Sequence, residues 1–168
     1  RQHGAFAQYV AVPQHILYRL PEGISFIQAA MVEPVSIAFH AVSLTPISLN
    51  DSVVVIGSGM VGIFVIQALR AAGCGTIIAV DLEQDKLDLA LQLGADYGLL
   101  ADKVDVVKKV QELTEGKGAT IAVEVVGNTA AVNTAIGSLR KGGTLTIVGN
   151  LAATVEFPLQ EVVTRQIS

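Results

Sequence analysis

The chain has 168 residues, 51% of them apolar, with a mean hydropathy of +0.56 and a formal net charge of −4. That length is enough for one sizeable core, and such apolarity makes the core large relative to the surface. Its dispersed Lys and Arg form no basic stripe, which excludes nucleic acid and acidic membrane as partners. The one cysteine, Cys74, excludes an internal disulfide or a Cys-rich zinc site and fits a reducing cytoplasm.

In chain order, Gly4 to Val12 alternates like a strand, and Leu20-Pro21-Glu22-Gly23 reads as a turn. Ser25 to Leu44 reads as two short helices separated near Pro34. Proline suits the first position of a helix, so Glu33 is expected at a helix mouth, where the macrodipole favours a carboxylate. From spacing alone, Glu33 is either a capping charge or a carboxylate that helps to hold zinc or its bound water. His40 follows two helical turns later, about 10 Å along the axis, too far to share one metal with Glu33. His3, His15 and His40 read as surface or packing histidines.

After residue 50 the pattern alternates strand and helix. Strands are expected at Val53–Ile56, Thr76–Val80, Tyr97–Leu100, Thr120–Val125 and Thr144–Val148, with helices near 60–72, 83–93, 103–114, 129–139 and 158–166. Turns at Gly73-Cys74-Gly75, Gly94-Ala95-Asp96 and Lys141-Gly142-Gly143 join them. Short apolar β-rich runs alternating with helices imply an α/β fold, a doubly wound parallel sheet of the Rossmann type. Such a sheet in full has six strands, so the five counted leave Thr144–Val148 as an open edge on which another chain can pair. The apolar stretch Val53 to Leu69 is interrupted by Gly57, Ser58, Gly59 and Gly62, and reads as a buried strand feeding a buried helix rather than a membrane span. No charged-then-apolar leader precedes it, and the expectation is a soluble protein.

The chemistry concentrates at Gly57-Ser58-Gly59-Met60-Val61-Gly62, which follows the first of these strands and opens a helix. Strand, G-x-G-x-x-G and helix in that order bring backbone against a dinucleotide pyrophosphate. Gly57 permits the tight turn, Gly59 keeps side-chain atoms away from the phosphates, and Gly62 lets the helix pack closely. Unpartnered first-turn N–H groups then face the anion. Asp81 ends the next strand, nineteen residues after Gly62, where a carboxylate is expected to accept the adenosine ribose hydroxyls. It also repels a 2′-phosphate, and no Arg or Lys follows until Lys86, which favours NAD over NADP. A helix cap for residues 83–93 is the competing role for Asp81. Strand-end segments Val126-Gly127 and Val148-Gly149-Asn150 are expected on the same rim.

Several segments together resemble a known family. Gly-Ala-Phe-Ala-Gln-Tyr-Val at 4–10, Leu-Pro-Glu-Gly at 20–23, Glu33-Pro34-Val35-Ser36, Gly-Ser-Gly-Met-Val-Gly at 57–62, Val80-Asp81, Leu93-Gly94-Ala95-Asp96, Glu124-Val125-Val126-Gly127 and Gly142-Gly143-Thr144 occur in the order seen in zinc-dependent medium-chain alcohol and polyol dehydrogenases. The Glu-Pro-Val-Ser segment is most similar to the sorbitol, threonine and galactitol-phosphate dehydrogenase branch. The resemblance implies Glu33 as a metal-site residue and Lys86 as a lysine near the adenosine ribose. It implies Met60, Val61, Val126, Gly127, Val148 and Gly149 as cofactor contacts beside Gly57, Gly59, Gly62 and Asp81.

The implied domains are 1–24, a tail of a β-rich GroES-like catalytic domain; 25–50, linking helices; and 51–168, an NAD-binding Rossmann domain. The implied reaction is hydride transfer between a secondary alcohol or polyol and NAD, with zinc polarising the alcohol oxygen. The family's zinc-binding Cys and Gly-His-Glu belong before residue 1, so no catalytic residue is expected in residues 1–168, which should bind nucleotide without turning over alcohol. Family members are commonly dimers or tetramers, and a homo-oligomer is expected. A zinc-free reductase of enones or quinones and a non-catalytic nucleotide-sensing module are the alternatives.

Overall fold

Runs of β-branched residues with no polar alternation are stable as strands only where both faces are covered. Such runs form the centre of the fold. The computed structural model describes residues 4–168, which divide into one unit ending at Val32 and another spanning Glu33–Ser168.

The second unit is a five-stranded sheet of β1 (Ser52–Ile56), β2 (Thr76–Asp81), β3 (Tyr97–Leu100), β4 (Ala119–Glu124) and β5 (Leu139–Ile147), in the order β3-β2-β1-β4-β5 with every pairing parallel. Between them run α3 (Met60–Ala71), α4 (Gln84–Gln92), α5 (Val106–Leu113) and α6 (Thr129–Ser138), with α7 (Leu159–Arg165) after β5. This is the doubly wound α/β architecture expected. Alternate residues of the central strands feed two cores. Val53, Val55, Ile77, Ala79, Ile121 and Val123 pack with Ile66 and Leu69 of α3 and Leu87 of α4. Val54, Ile56, Ile78, Val80 and Ala122 pack with Val106 and Val110 of α5 and Ala131 and Ala135 of α6.

The order reverses between β1 and β4. From β1 the chain winds outward through β2 and β3, then returns to lay β4 on the other side of β1. Loops leaving the carboxyl ends of β1 and β4 therefore diverge to opposite faces, and the space between them is the crevice in which such sheets bind ligands.

Four details differ from the sequence reading. Residues 4–12 form no strand, and none of residues 4–32 is buried. Alternation alone cannot make a strand without a neighbouring edge to complete its hydrogen bonds. The helical region breaks at Met31, between α1 (Phe26–Ala30) and α2 (Val32–Leu44), rather than near Pro34. Pro34 lies in the first turn of α2, where its missing N–H has no intrahelical acceptor to lose. Lys141-Gly142-Gly143 is not a turn between elements but part of β5. Pairing to β4 slips between Ala119↔Leu139 and Ile121↔Thr144, and Gly142, at φ 70°, bends the surplus residues outward as a bulge. Finally, the outer edge of β5 is partly occupied. Ser168 donates to the Gly143 carbonyl at 3.1 Å and accepts from the Leu145 N–H at 2.8 Å, whereas Ile147 beyond it remains exposed.

Candidate functional site

The turn after β1 is built from backbone packed against backbone. Gly57 has φ +98°, a conformation that side chains resist, and a Cβ there would lie 2.8 Å from Val126 Cγ2. A Cβ on Gly62 would lie 2.0 Å from the Gly57 carbonyl oxygen, so the close approach this glycine permits is to the turn itself rather than to the strand. Gly59 differs from both. It is the N-cap of α3 in an extended conformation, and a Cβ there would meet nothing within 4 Å. As a glycine it offers no side-chain acceptor to the first-turn amides of α3. Those amides, at the positive end of a twelve-residue helix, have no side-chain cap and belong to residues that line open space.

That space is a crevice of about 330 Å³ lined by Gly57, Gly59, Met60, Val61, Gly62, Asp81, Lys86, Val125 and Val126. Eight of the residues singled out from the sequence thus converge, although β1, β2 and β4 bring them from stretches far apart in the chain. Gly127, Val148 and Gly149 do not line it. Gly127 and Gly149 instead meet back to back, since a Cβ on Gly149 would lie 2.0 Å from the Gly127 nitrogen. Glu33 is exposed in the first turn of α2, where its carbonyl accepts from Ser36 Oγ at 2.7 Å. Among the described residues no three His, Cys, Asp or Glu side chains gather as a metal site.

Asp81 is largely enclosed and already engaged. Its Oδ2 accepts the Ser58 N–H at 2.7 Å, and its Oδ1 accepts those of Leu82 at 2.8 Å and Glu83 at 3.1 Å. These three bonds knit the carboxyl end of β2 to the glycine turn. They do not cap α4, whose N-cap is Glu83. Of the roughly four lone-pair positions on a carboxylate, one on Oδ2 remains for a further donor. Lys86 stands beside it, with Nζ 2.8 Å from Glu83 Oε1 and 3.9 Å from Asp81 Oδ1. The hydrogen bond to Glu83, and secondarily the Asp81 charge, hold the ammonium above its ordinary range. A polyhydroxylated ligand at this end would meet one free carboxylate acceptor and an ammonium donor.

Three contributors escaped the sequence reading. Ser58 is a variable position of the glycine motif, yet its buried N–H orients Asp81. Val125 lines the crevice beside Val126. Glu124 ends β4 fully buried, a location that its charge argues against in any pattern of apolar runs.

Known proteins share this sequence pattern and this fold. Residues 60–168 match the family model described as zinc-binding dehydrogenase. Sorbitol dehydrogenase of Bacillus subtilis (strain 168) is 36% identical over 156 residues, 93% of this chain and 44% of the relative. Among solved structures, 2R,3R-butanediol dehydrogenase from Bacillus subtilis superposes with a TM-score of 0.80 at 34% identity, covering 89% of this chain and 43% of that one. A protein described as a zinc-binding dehydrogenase from Sinorhizobium meliloti 1021, bound to NADP, gives 0.88 at 27% identity, covering 98% and 49%. The chain therefore spans about half the length of the relatives it matches. The family match runs from Met60 at the start of α3 through β2, β3, β4 and β5, and the chain belongs to the zinc-binding dehydrogenase family.

Proposed function

We propose that this chain is the dinucleotide-binding portion of an enzyme that transfers hydride between a secondary alcohol or polyol and NAD. The observation that carries it is the uncapped first turn of α3 facing a crevice with Asp81 at one end and Val126 at the other. The first-turn amides of α3 hold the pyrophosphate, with Gly59 leaving them uncovered. Asp81 accepts one adenosine ribose hydroxyl through the remaining position on Oδ2, and Lys86 donates to the other. Val125 and Val126 supply an apolar wall toward the nicotinamide half, which supplies the hydride-accepting carbon when bound.

Residues 51–168 serve as the nucleotide domain, 25–50 as the link and 1–24 as the edge of a GroES-like domain. The described residues alone do not make up a zinc site. In the longer architecture of the relatives, Glu33 is one donor toward the family's metal. Sugar alcohols or related secondary alcohols are the substrate class, by likeness to sorbitol and butanediol dehydrogenases. The enzyme works as a homo-oligomer in a reducing cytoplasm. Among the described residues no helix is long and apolar enough to cross a membrane.

Calorimetric titration with NAD and NADP tests the reading. Saturable NAD binding is expected, tighter than NADP, because a 2′-phosphate would lie against the Asp81 carboxylate. Asp81→Asn should weaken NAD and narrow the preference by roughly tenfold, since like charges brought together cost more than a kcal/mol. No saturable NAD binding by the folded chain, or an unchanged preference in the variant, refutes it.

A further inference from the structure

Glu124 is the last residue of β4, in register with Ile56 of β1 and Ile147 of β5, and it has no solvent exposure. One carboxylate oxygen, Oε1, accepts the N–H groups of both Val126 and Gly127 at 2.7 Å. The backbone carbonyl of the same residue accepts those of Val148 at 2.8 Å and Gly149 at 3.1 Å. A single residue thus gathers the loops leaving two neighbouring strands. The loops also touch directly, because a Cβ on Gly127 would lie 2.2 Å from the Asn150 nitrogen. Meanwhile Oε2 is buried with no hydrogen-bond partner.

A buried carboxylate with one oxygen unused is a poor way to stabilise a fold, since a well-packed apolar residue of similar volume often does as well or better. The N-terminus of α6 softens the cost: Val126 and Gly127 lead into its N-cap, Asn128, so the positive end of the macrodipole lies toward the charge. What the arrangement does achieve is fixed placement. Val126 lines the crevice, and its amide hangs from Oε1.

Resting on the nucleotide-binding reading above, we propose that Glu124 is a positioning residue that sets the nicotinamide-side wall of the crevice. It holds Val126 in place and ties that wall to the loop after β5. Its side-chain hydrogen bonds go to Val126 and Gly127 and none to Asp81 or the glycine turn, so loss of the carboxylate leaves the adenosine half of a dinucleotide its own contacts.

The test compares NAD with AMP, which occupies only the adenosine end. Glu124→Leu removes the acceptor, and Glu124→Gln retains one oxygen able to take both amides. In Glu124→Leu the Kd for NAD should rise roughly tenfold, about the effect of one well-made hydrogen bond, while that for AMP stays the same; Glu124→Gln should recover most of the difference. Equal weakening of both ligands, or none of either, overturns the inference while leaving nucleotide binding intact. Failure of the unaltered chain to bind either ligand sinks the nucleotide reading, and this inference with it. Should the leucine variant not fold, amide hydrogen exchange in the unaltered chain decides. NAD should slow Val126, Gly127, Val148 and Gly149 together and AMP should leave them unchanged. Equal slowing by AMP, or a response confined to one loop, overturns the proposal.

Discussion

Two glycines three residues apart in the same turn should respond to alanine in opposite ways. At Gly59, φ is −69° and ψ −169°, an extended conformation open to any residue, and the new methyl meets nothing within 4 Å. Reduced freedom of the unfolded chain favours the variant by about 0.4–1 kcal/mol. Alanine is a poorer N-cap than glycine by a similar amount, about 0.5 kcal/mol, so the net change in stability is close to zero. At Gly62 the methyl would sit 2.0 Å from the Gly57 oxygen, where 3.4 Å is ordinary contact. The atom in the way is backbone, in a turn whose own N–H is fixed to the Val80 carbonyl at 2.8 Å. Overpacking costs about 1–3 kcal/mol, and rigid backbone puts this case at the top of the range. At about 2–4 °C per kcal/mol for a domain of this size, Tm falls by about 6–12 °C. Circular dichroism melts with and without NAD measure both effects. Gly59→Ala should melt like the parent yet lose most of the shift NAD produces, its affinity falling at least about tenfold as the methyl keeps the phosphates from the amides. Gly62→Ala should melt early even without ligand. A Gly59→Ala protein stabilised by NAD as fully as the parent, or a Gly62→Ala protein of parental Tm, refutes the division of roles.

Arg70 of α3 donates to the carbonyls of Gly94, Cys74 and Gly75 and to Asp96 Oδ2, which also accepts the Ile77 N–H. Because its ion pair is partly exposed and therefore weak, Arg70→Met should cost about 1–2 kcal/mol mainly through the lost carbonyl bonds. Arg70→Lys should recover little of that, since an ammonium cannot span the fork; full recovery by lysine in urea titrations would refute the assignment. For Cys74, burial first and the Asp51 charge second push the thiol above its ordinary value of 9.0, with Arg70 opposing. A folded thiol that holds its proton longer than the unfolded one adds stability that is complete below that value and is lost as pH rises through the folded one. The urea midpoint should therefore decline above about pH 9 more steeply in the parent than in Cys74→Ala, and native Cys74 should resist thiol reagents at pH 8 until urea is added. Parallel pH profiles, or rapid labelling of the native protein, would contradict this.

The strands with continuous β-branched runs were legible within a residue or two, because a string such as Val53-Val54-Val55-Ile56 has no other comfortable environment. Alternation at residues 4–12 misled because period alone does not supply a partner edge. At β5 the signal failed for the opposite reason: a glycine pair that ordinarily ends an element here absorbs a slip in register, which depends on β4 and not on neighbouring sequence. The glycine turn and Asp81 were legible as a spaced motif. That Ser58 would orient Asp81, or that Gly127 and Gly149 would be spent on each other rather than on the crevice, follows from contacts across strands with no local signature. Glu124 falls within a recognisable motif, but its burial has no signature in the sequence, since a glutamate ending a strand ordinarily reaches solvent.

α5 and α6 are closed by Asp105, accepting the Lys108 N–H at 3.0 Å, and by Asn128, accepting that of Ala131 at 2.8 Å. α3 has a glycine where they have acceptors, although it is deeply embedded, with Val65, Ile66 and Leu69 fully buried. Each such side chain contributes about 1.5–3 kcal/mol on burial, which exceeds the roughly 1 kcal/mol that a missing cap costs. The helix can therefore leave its first-turn amides unsatisfied by the protein without melting. An acceptor at residue 59 would stabilise the free chain and occupy the place proposed for the pyrophosphate, so the packing that makes the defect tolerable also leaves that place open.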